Sequence, residues 1–308
     1  MESFLSPRDL ALAIGVSESS LKRWVDTRAL RAVKTEGGHR RIPVSEAVRF
    51  IRAHRAVVVR PDLLRIQDLS DEVLAAAAED LDGKRLEAAL MADDVRTARG
   101  LILGGYLQGT PVAALFDGPL RKALTNIGDL WHSDDGGIVT EHRATDTCIQ
   151  ALHLLRVTMV EPVPDAPVAL TAALAGDPYL LPALIASIVA TEAGFLARNL
   201  GPDTPTKSLV RAIETMRPRL VCISLSIPRK SESLSALLGP VIETSSALDV
   251  HLVVGGRCAE SRELPVAGNV THAATMVELA AFARGLRAPP RLTSGRSRPV
   301  RANRRLRK

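Results

Sequence analysis

Two groups of side chains in this 308-residue chain are of types that hold polyanions. Ser19, Ser20, Lys22 and Arg23 occupy the outer faces of a short helix, whose inner face carries Leu21 and Trp24, three residues apart. His39-Arg40-Arg41 follows Gly37-Gly38, a pair that makes a tight hairpin, so three basic-capable side chains leave one tip together. Charge is distributed to match. Residues 1–60 hold 12 Lys and Arg against 6 Asp and Glu, residues 287–308 hold 9 against none, and residues 61–286 hold 19 against 28. A polyanion therefore meets this chain at its basic ends and not at its acidic middle. A third group lies in that middle. His142 and Asp146 are four apart on one helix face, where a carboxylate can set an imidazole tautomer. Cys148, Cys222 and Cys258 follow no metal or disulfide spacing, which fits a reducing cytoplasm.

The elements that must position these groups fall into four segments: 1–60, 61–161, 162–286 and 287–308. In the first, Ser6-Pro7 starts a helix that Gly15 closes, and Ser17 caps the second helix after a turn of a few residues. Two short helices joined through a glycine turn are a helix-turn-helix signature. The Gly-Gly hairpin comes next, then a third helix capped by Ser45 and running from Glu46 to His54. In the second segment apolar residues recur at three and four spacing, as in Leu86, Leu90, Val95 and Leu101, Leu103, Leu107. Helices over 70–80, 83–108, 111–132 and 137–158, with short loops, predict an antiparallel four-helix bundle.

The stiff linker Glu161-Pro162-Val163-Pro164-Asp165-Ala166-Pro167 changes the pattern to alternating strand and helix. Strands are expected at Val168–Leu174, near 196–200, at Arg219–Ser226, His251–Val254 and Asn269–Ala273. The helices between them run from about Leu181 to Arg198, to Met216, from Ser231 to Leu248 and from Thr275 to Leu286. This is a doubly wound parallel α/β sheet, flavodoxin-like or Rossmann-like, which binds ligands at the carboxyl ends of its strands. Residues 287–308 read as a disordered basic tail.

Apolar residues at 46% and charged residues at 24% support a packed core and exclude a wholly disordered chain. With nine aromatic residues in all, that core must be mostly Ala, Leu and Val. No apolar run reaches the ~18 residues of a spanning helix. Met1-Glu2-Ser3-Phe4 opens no export signal, so a soluble cytoplasmic protein is expected.

The first segment resembles the DNA-binding domain of the MerR and excisionase class: helix-turn-helix, tryptophan in the recognition helix, then a Gly-Gly-His-Arg-Arg wing. The resemblance implies that Ser19, Ser20, Lys22 and Arg23 approach the major groove of an operator. It places His39, Arg40 and Arg41 on phosphates or the adjacent minor groove. Trp24 anchors the helix. The whole arrangement resembles the CarH/LitR cobalamin-dependent photoreceptor regulators of the MerR class. Their bundle carries Trp, nine residues, then Glu-His, and here Trp131 precedes Glu141-His142 by that spacing. By that resemblance Trp131 caps the upper face of a corrinoid, and Glu141 and His142 line the pocket for an upper adenosyl ligand. His132 takes the position that supplies a histidine to cobalt after light breaks the cobalt–carbon bond. A homo-oligomer, dimer or tetramer, is expected on DNA, since operators are usually read by dimers.

The α/β segment departs from this family at one point. The family carries Asp-x-His-x-x-Gly after the first strand, its histidine being the lower ligand to cobalt; here Asp177-Pro178-Tyr179-Leu180-Leu181-Pro182 stands instead. Neutral imidazole is a good nitrogen donor, and a neutral phenol is a poor one. Ser224-Leu225-Ser226 stands where the family has Ser-x-Leu, and Gly255-Gly256 keeps the bare backbone that lets a nucleotide tail approach. Three outcomes stay open. Adenosylcobalamin or another cobalamin binds without a protein lower ligand. Another tetrapyrrole occupies the cavity with Tyr179, His132 or Cys258 as contacts. Or the body is empty and serves assembly and protein contacts. An enzyme is not expected, because a corrinoid methyltransferase or mutase needs a catalytic barrel and the lower histidine.

Overall fold

A computed structural model describes residues 3–80, 83–130, 135–228, 231–259 and 268–287. The head begins with β1 (Phe4–Leu5), α1 (Pro7–Ala13) and α2 (Glu18–Asp26). Ser6 and Asp9 form a reciprocal capping box on α1, with Pro7 at its first position, and Ser17 accepts from the Ser20 amide to cap α2. β2 (Val33–Lys34) and β3 (Arg40–Pro43) form the wing, with Gly38 at positive φ in the tip, and β1 adds antiparallel to the other edge of β3. α3 (Val44–His54) closes the head. Its first helical residue is Val44, preceded by Pro43, so Ser45 lies inside the helix and is not its cap. Leu5, Leu10, Leu21, Leu30, Ile42, Phe50 and Ile51 are buried together, and the Trp24 ring lies 4.9 Å from that of Phe50. Trp24 is thus an anchor, as expected. Glu46 is buried in this core. Burial works against its charge, but the Arg49 guanidinium and the Arg31 amide outweigh it and hold the carboxyl below its ordinary range.

A 3-10 turn (Pro61–Leu64) leads to the helical body: α4 (Asp71–Glu79), α5 (Lys84–Met91), α6 (Val95–Leu107), α7 (Val112–Leu115), α8 (Arg121–Leu130) and α9 (Asp135–Thr158). Two of the four expected helices are broken. The helix over 83–108 divides at Ala92-Asp93-Asp94, where Asp93 has positive φ and Asp94 caps α6 through the Thr97 amide. The helix over 111–132 is interrupted between α7 and α8 by a wide turn (Phe116–Leu120) holding Gly118 and Pro119. α4, α6, α8 and α9 still pack as neighbours around one apolar core.

The sheet consists of β4 (Val168–Leu174), β5 (Leu196–Thr204), β6 (Leu220–Ser224), β7 (His251–Gly255) and β8 (Val270–Ala273), all parallel, in the order β5-β4-β6-β7-β8. This is the flavodoxin-like order, so the doubly wound expectation is borne out. The helices are α10 (Leu180–Glu192), α11 (Thr206–Met216), α12 (Ser231–Ala247) and α13 (Met276–Arg287). α10 stops six residues before the expected Arg198, because Gly194 turns the chain at φ +93 into a strand longer than foreseen. Side chains alternate between two cores along each strand. Ala169, Leu220, Cys222 and Val253 join α10, α13, the bundle and the head, while Leu170, Ala172, Val221, Ile223 and Leu252 join α11 and α12. α10 is therefore buried on nearly all sides, between sheet and bundle. No described helix is long and apolar enough to cross a membrane. The expected tail lies almost wholly in 288–308, outside the described residues.

Candidate DNA interface and sensor crevice

α2 and the wing enclose a concavity of about 590 Å³, lined on the α2 side by Glu18, Lys22 and Asp26, one face of the helix at four-residue spacing. Gly38, His39, Arg40 and Arg41 supply the wing side, and the first turn of α1 adds Arg8. Four of the seven expected DNA contacts are thereby brought together: Lys22, His39, Arg40 and Arg41. Ser19 and Arg23 form the neighbouring stripe of α2 and are exposed, while Ser20 is engaged in the cap, its hydroxyl 3.0 Å from that of Ser17. Arg40 is not free, since its Nη2 donates to Asp26 Oδ1 at 2.7 Å. Lys22 lies 3.5 Å from Glu18 in an exposed pair, which holds it only weakly. Arg8 was not singled out in the sequence, because only the tertiary approach of α1 to the wing brings it here.

The sheet's switch point lies between β4 and β6, whose following helices, α10 and α12, cover opposite faces. Asp177 closes this crevice from inside. It is buried, its Oδ2 accepts from the Ser226 amide at 2.7 Å, and its Oδ1 accepts from the Tyr179 amide at 3.2 Å. One carboxylate thus ties the loop after β4 to the loop after β6. The carboxyl end of β5 joins them, with Asp203 accepting from the Gly176 amide and donating its own amide to the Asp177 carbonyl. Ser224 and Ser226 place their hydroxyls 3.2 Å apart at the β6 end. Tyr179 immediately precedes α10, with no capping hydrogen bond from its side chain, and is 51% exposed.

Gly255 and Gly256 also have a role inside the protein. A Cβ on Gly255 would stand 2.6 Å from the Ala273 carbonyl oxygen, and one on Gly256, at φ +104, would stand 2.6–2.9 Å from the Leu225 backbone. Their bareness serves internal packing, with or without a nucleotide tail. Gly256→Ala is accordingly expected to lower the stability of the ligand-free protein by about 2–4 kcal/mol in thermal unfolding, from overpacking and backbone strain. An unchanged midpoint would show that the loop has room.

Trp131 and His132 lie outside the described residues. Glu141 is half-buried and accepts from the Thr145 hydroxyl at 3.2 Å; His142 is exposed, 3.6 Å from Glu141. The expected His142–Asp146 pairing is not formed, since Asp146 accepts from Gln150 one turn on. Cys258 is buried and its amide donates to the Leu225 carbonyl. Burial pushes the thiols of Cys148 and Cys222 up to about 12, so neither is a nucleophile. For a corrinoid, the crevice offers short side chains and a fixed backbone, which fit. It offers no nitrogen donor from the β4 loop, and the Asp177 carboxylate already has backbone partners on both oxygens. A lower axial imidazole supplied by this loop does not fit the residues present.

A third junction escaped the sequence reading. Arg52 of α3 donates to the Tyr106 and Thr110 carbonyls of the bundle and, at 2.9 Å, to Glu192 Oε1 at the end of α10. Glu192 Oε2 accepts from the Val112 amide at 3.0 Å. Burial pushes the Glu192 carboxyl up from its ordinary value, while Arg52, the Val112 amide and Arg284 pull it back.

Comparison with known proteins follows the same division. Residues 4–55 match the family model described as a helix-turn-helix domain, and residues 72–156 match that described as a B12 binding domain. The chain is 25% identical over 257 residues to the HTH-type transcriptional repressor CarA of Myxococcus xanthus, covering 81% of this chain and 85% of that protein. The monomethylamine corrinoid protein of Methanosarcina barkeri superposes with a TM-score of 0.51 at 18% identity, over 68% of this chain and 99% of its own, which speaks to the fold. A helix-turn-helix head joined to a B12-binding body bears out the resemblance to the CarH/LitR-type regulators.

Proposed function

We propose that this chain is a DNA-binding transcriptional regulator, acting as a repressor, whose body is a cobalamin-type sensor. The observation that carries this reading is the union, in one chain, of a basic winged head and a B12-binding bundle set beside a flavodoxin-like sheet. Residues 1–60 form the DNA-binding unit, 61–161 the bundle and 162–286 the α/β unit, with 287–308 as a basic appendage. Within the head, Lys22, His39, Arg41 and Arg8 hold phosphates around the concavity, and Ser19 and Arg23 face base edges. Within the body, Glu141 and His142 stand on the second turn of α9, and Tyr179, Ser224 and Ser226 border the crevice. A corrinoid, if bound there, would supply a cobalt centre able to carry a light-labile alkyl group. Asp177 holds the two crevice loops in register while the short serines leave them clear. The unit acts as a homo-oligomer on DNA and has no catalytic role of its own.

A second reading, a ligand-independent regulator with a degenerate sensor, is favoured by one observation: Asp177 and the glycine pair are all satisfied by the protein's own backbone. Visible absorbance of the purified full chain separates the two, read with mass spectrometry of what co-purifies and after titration with hydroxocobalamin and adenosylcobalamin. Corrin bands that stay with the protein through gel filtration support the sensor. DNA binding by a chain that takes up no cobalamin supports the second reading.

A further inference from the structure

We propose that the Arg52–Glu192 pair is the link by which the switch-point loop and the DNA-binding head sense each other, with α10 as the rod between them. The inference rests on the regulator reading above and adds its route of communication. α10 begins immediately after Tyr179, whose amide is held by Asp177, and ends at Glu192. Its 13 residues span about 20 Å. Packed between sheet and bundle, it moves as a unit or not at all. Among the described residues, the hydrogen bonds from residues 3–60 to residues 71–287 all leave from Arg52.

The guanidinium also lies 3.6 Å above the Tyr106 ring, and the two charged side chains are only 16% and 20% exposed. An ion pair this shielded is close to balanced, since desolvation opposes the attraction. A small shift of Glu192 therefore changes how the head is held. The other end of α3 is not gripped in the same way. Val44, Ser45 and Glu46 border an open cleft of about 1360 Å³, whose far wall is the end of α9 and the following chain, Leu154 to Glu161. The head is pinned at one end of α3 and has room to turn at the other.

Coupling between two sites is reciprocal, so DNA on the head must be felt at the loop. The full chain is compared with Glu192→Gln and with Glu192→Asp, which keeps the negative charge, each checked for native near-UV dichroism. A duplex selected from a random pool by the wild-type chain serves as the DNA probe. Its addition is expected to change hydrogen exchange of residues 176–180 at least threefold in the wild type, to leave Glu192→Gln unchanged, and to act in Glu192→Asp. Adenosylcobalamin, added in the dark, is expected to alter DNA affinity in the wild type, and in Glu192→Gln by at least fivefold less. An equal loop response in wild type and Glu192→Gln, or none in the wild type, overturns the link. If the wild type takes up no adenosylcobalamin while the DNA arm behaves as expected, the link stands and the cobalamin assignment falls.

Discussion

Replacing Lys22, Arg23 and Arg41 together by alanine is expected to weaken binding of duplex DNA about a hundredfold or more at low salt. Each loses a charge-assisted contact worth about 1 kcal/mol or more, and 1.4 kcal/mol is a factor of ten. The signature is in the salt dependence. Each neutralised phosphate contributes about 0.9 to the slope of log affinity against log salt, so the slope should fall by about 2, from the loss of Lys22 and Arg41. Arg40→Ala should cost less than Arg41→Ala, because Asp26 already holds the Arg40 guanidinium at 2.7 Å and DNA must compete for it. The measurement is fluorescence anisotropy of a labelled duplex against full-length protein, over a range of potassium chloride. An unchanged slope in the triple variant would place DNA elsewhere on the chain, with the basic stretch 287–308 first to be tested.

What could be read in the sequence was local, and what could not was long-range. Ser6-Pro7, the Gly15 turn and Trp24 announced the head because caps, turns and an anchoring aromatic act within a few residues. The five strands were visible as short apolar runs between turn residues, though their order depends on crossovers no local pattern records. Asp93 and Gly118 broke two helices whose apolar spacing continued across the breaks, so periodicity joined what backbone dihedrals divide. The site divides in the same manner. Asp177 was legible as a residue, but its partner is the Ser226 amide, 49 positions away. Gly255-Gly256 was legible as missing side chains, whereas what fills the space is the Leu225 and Ala273 backbone. Arg52 gave no signal at all. An arginine near the end of an amphipathic helix reads as a solvated face until tertiary structure sets Glu192 and Tyr106 against it.

Tyr179→His is expected to strengthen binding of hydroxocobalamin about tenfold and to move its visible spectrum toward a nitrogen-ligated form. The position is prepared for it. Residue 179 follows the β4 loop at the start of α10, its amide is fixed by Asp177, and its side chain is 51% exposed, so an imidazole displaces no packed neighbour. Immobilising the new ring costs about 0.5–1.5 kcal/mol, which a cobalt–nitrogen bond outweighs. The gain is limited by Asp177. Outer carboxylates that orient a ligating histidine are typically worth 10–100-fold, and here both oxygens already accept backbone amides at 2.7 and 3.2 Å. Tyr179→Phe provides the control, with no change expected in affinity or spectrum, because the phenol is not acting as a ligand. Spectral titration of the three proteins decides the matter. If Tyr179→His matches the wild type in both affinity and spectrum for every cobalamin tested, the crevice does not place residue 179 against a cobalt centre. The degenerate-sensor reading then becomes the better account of the body.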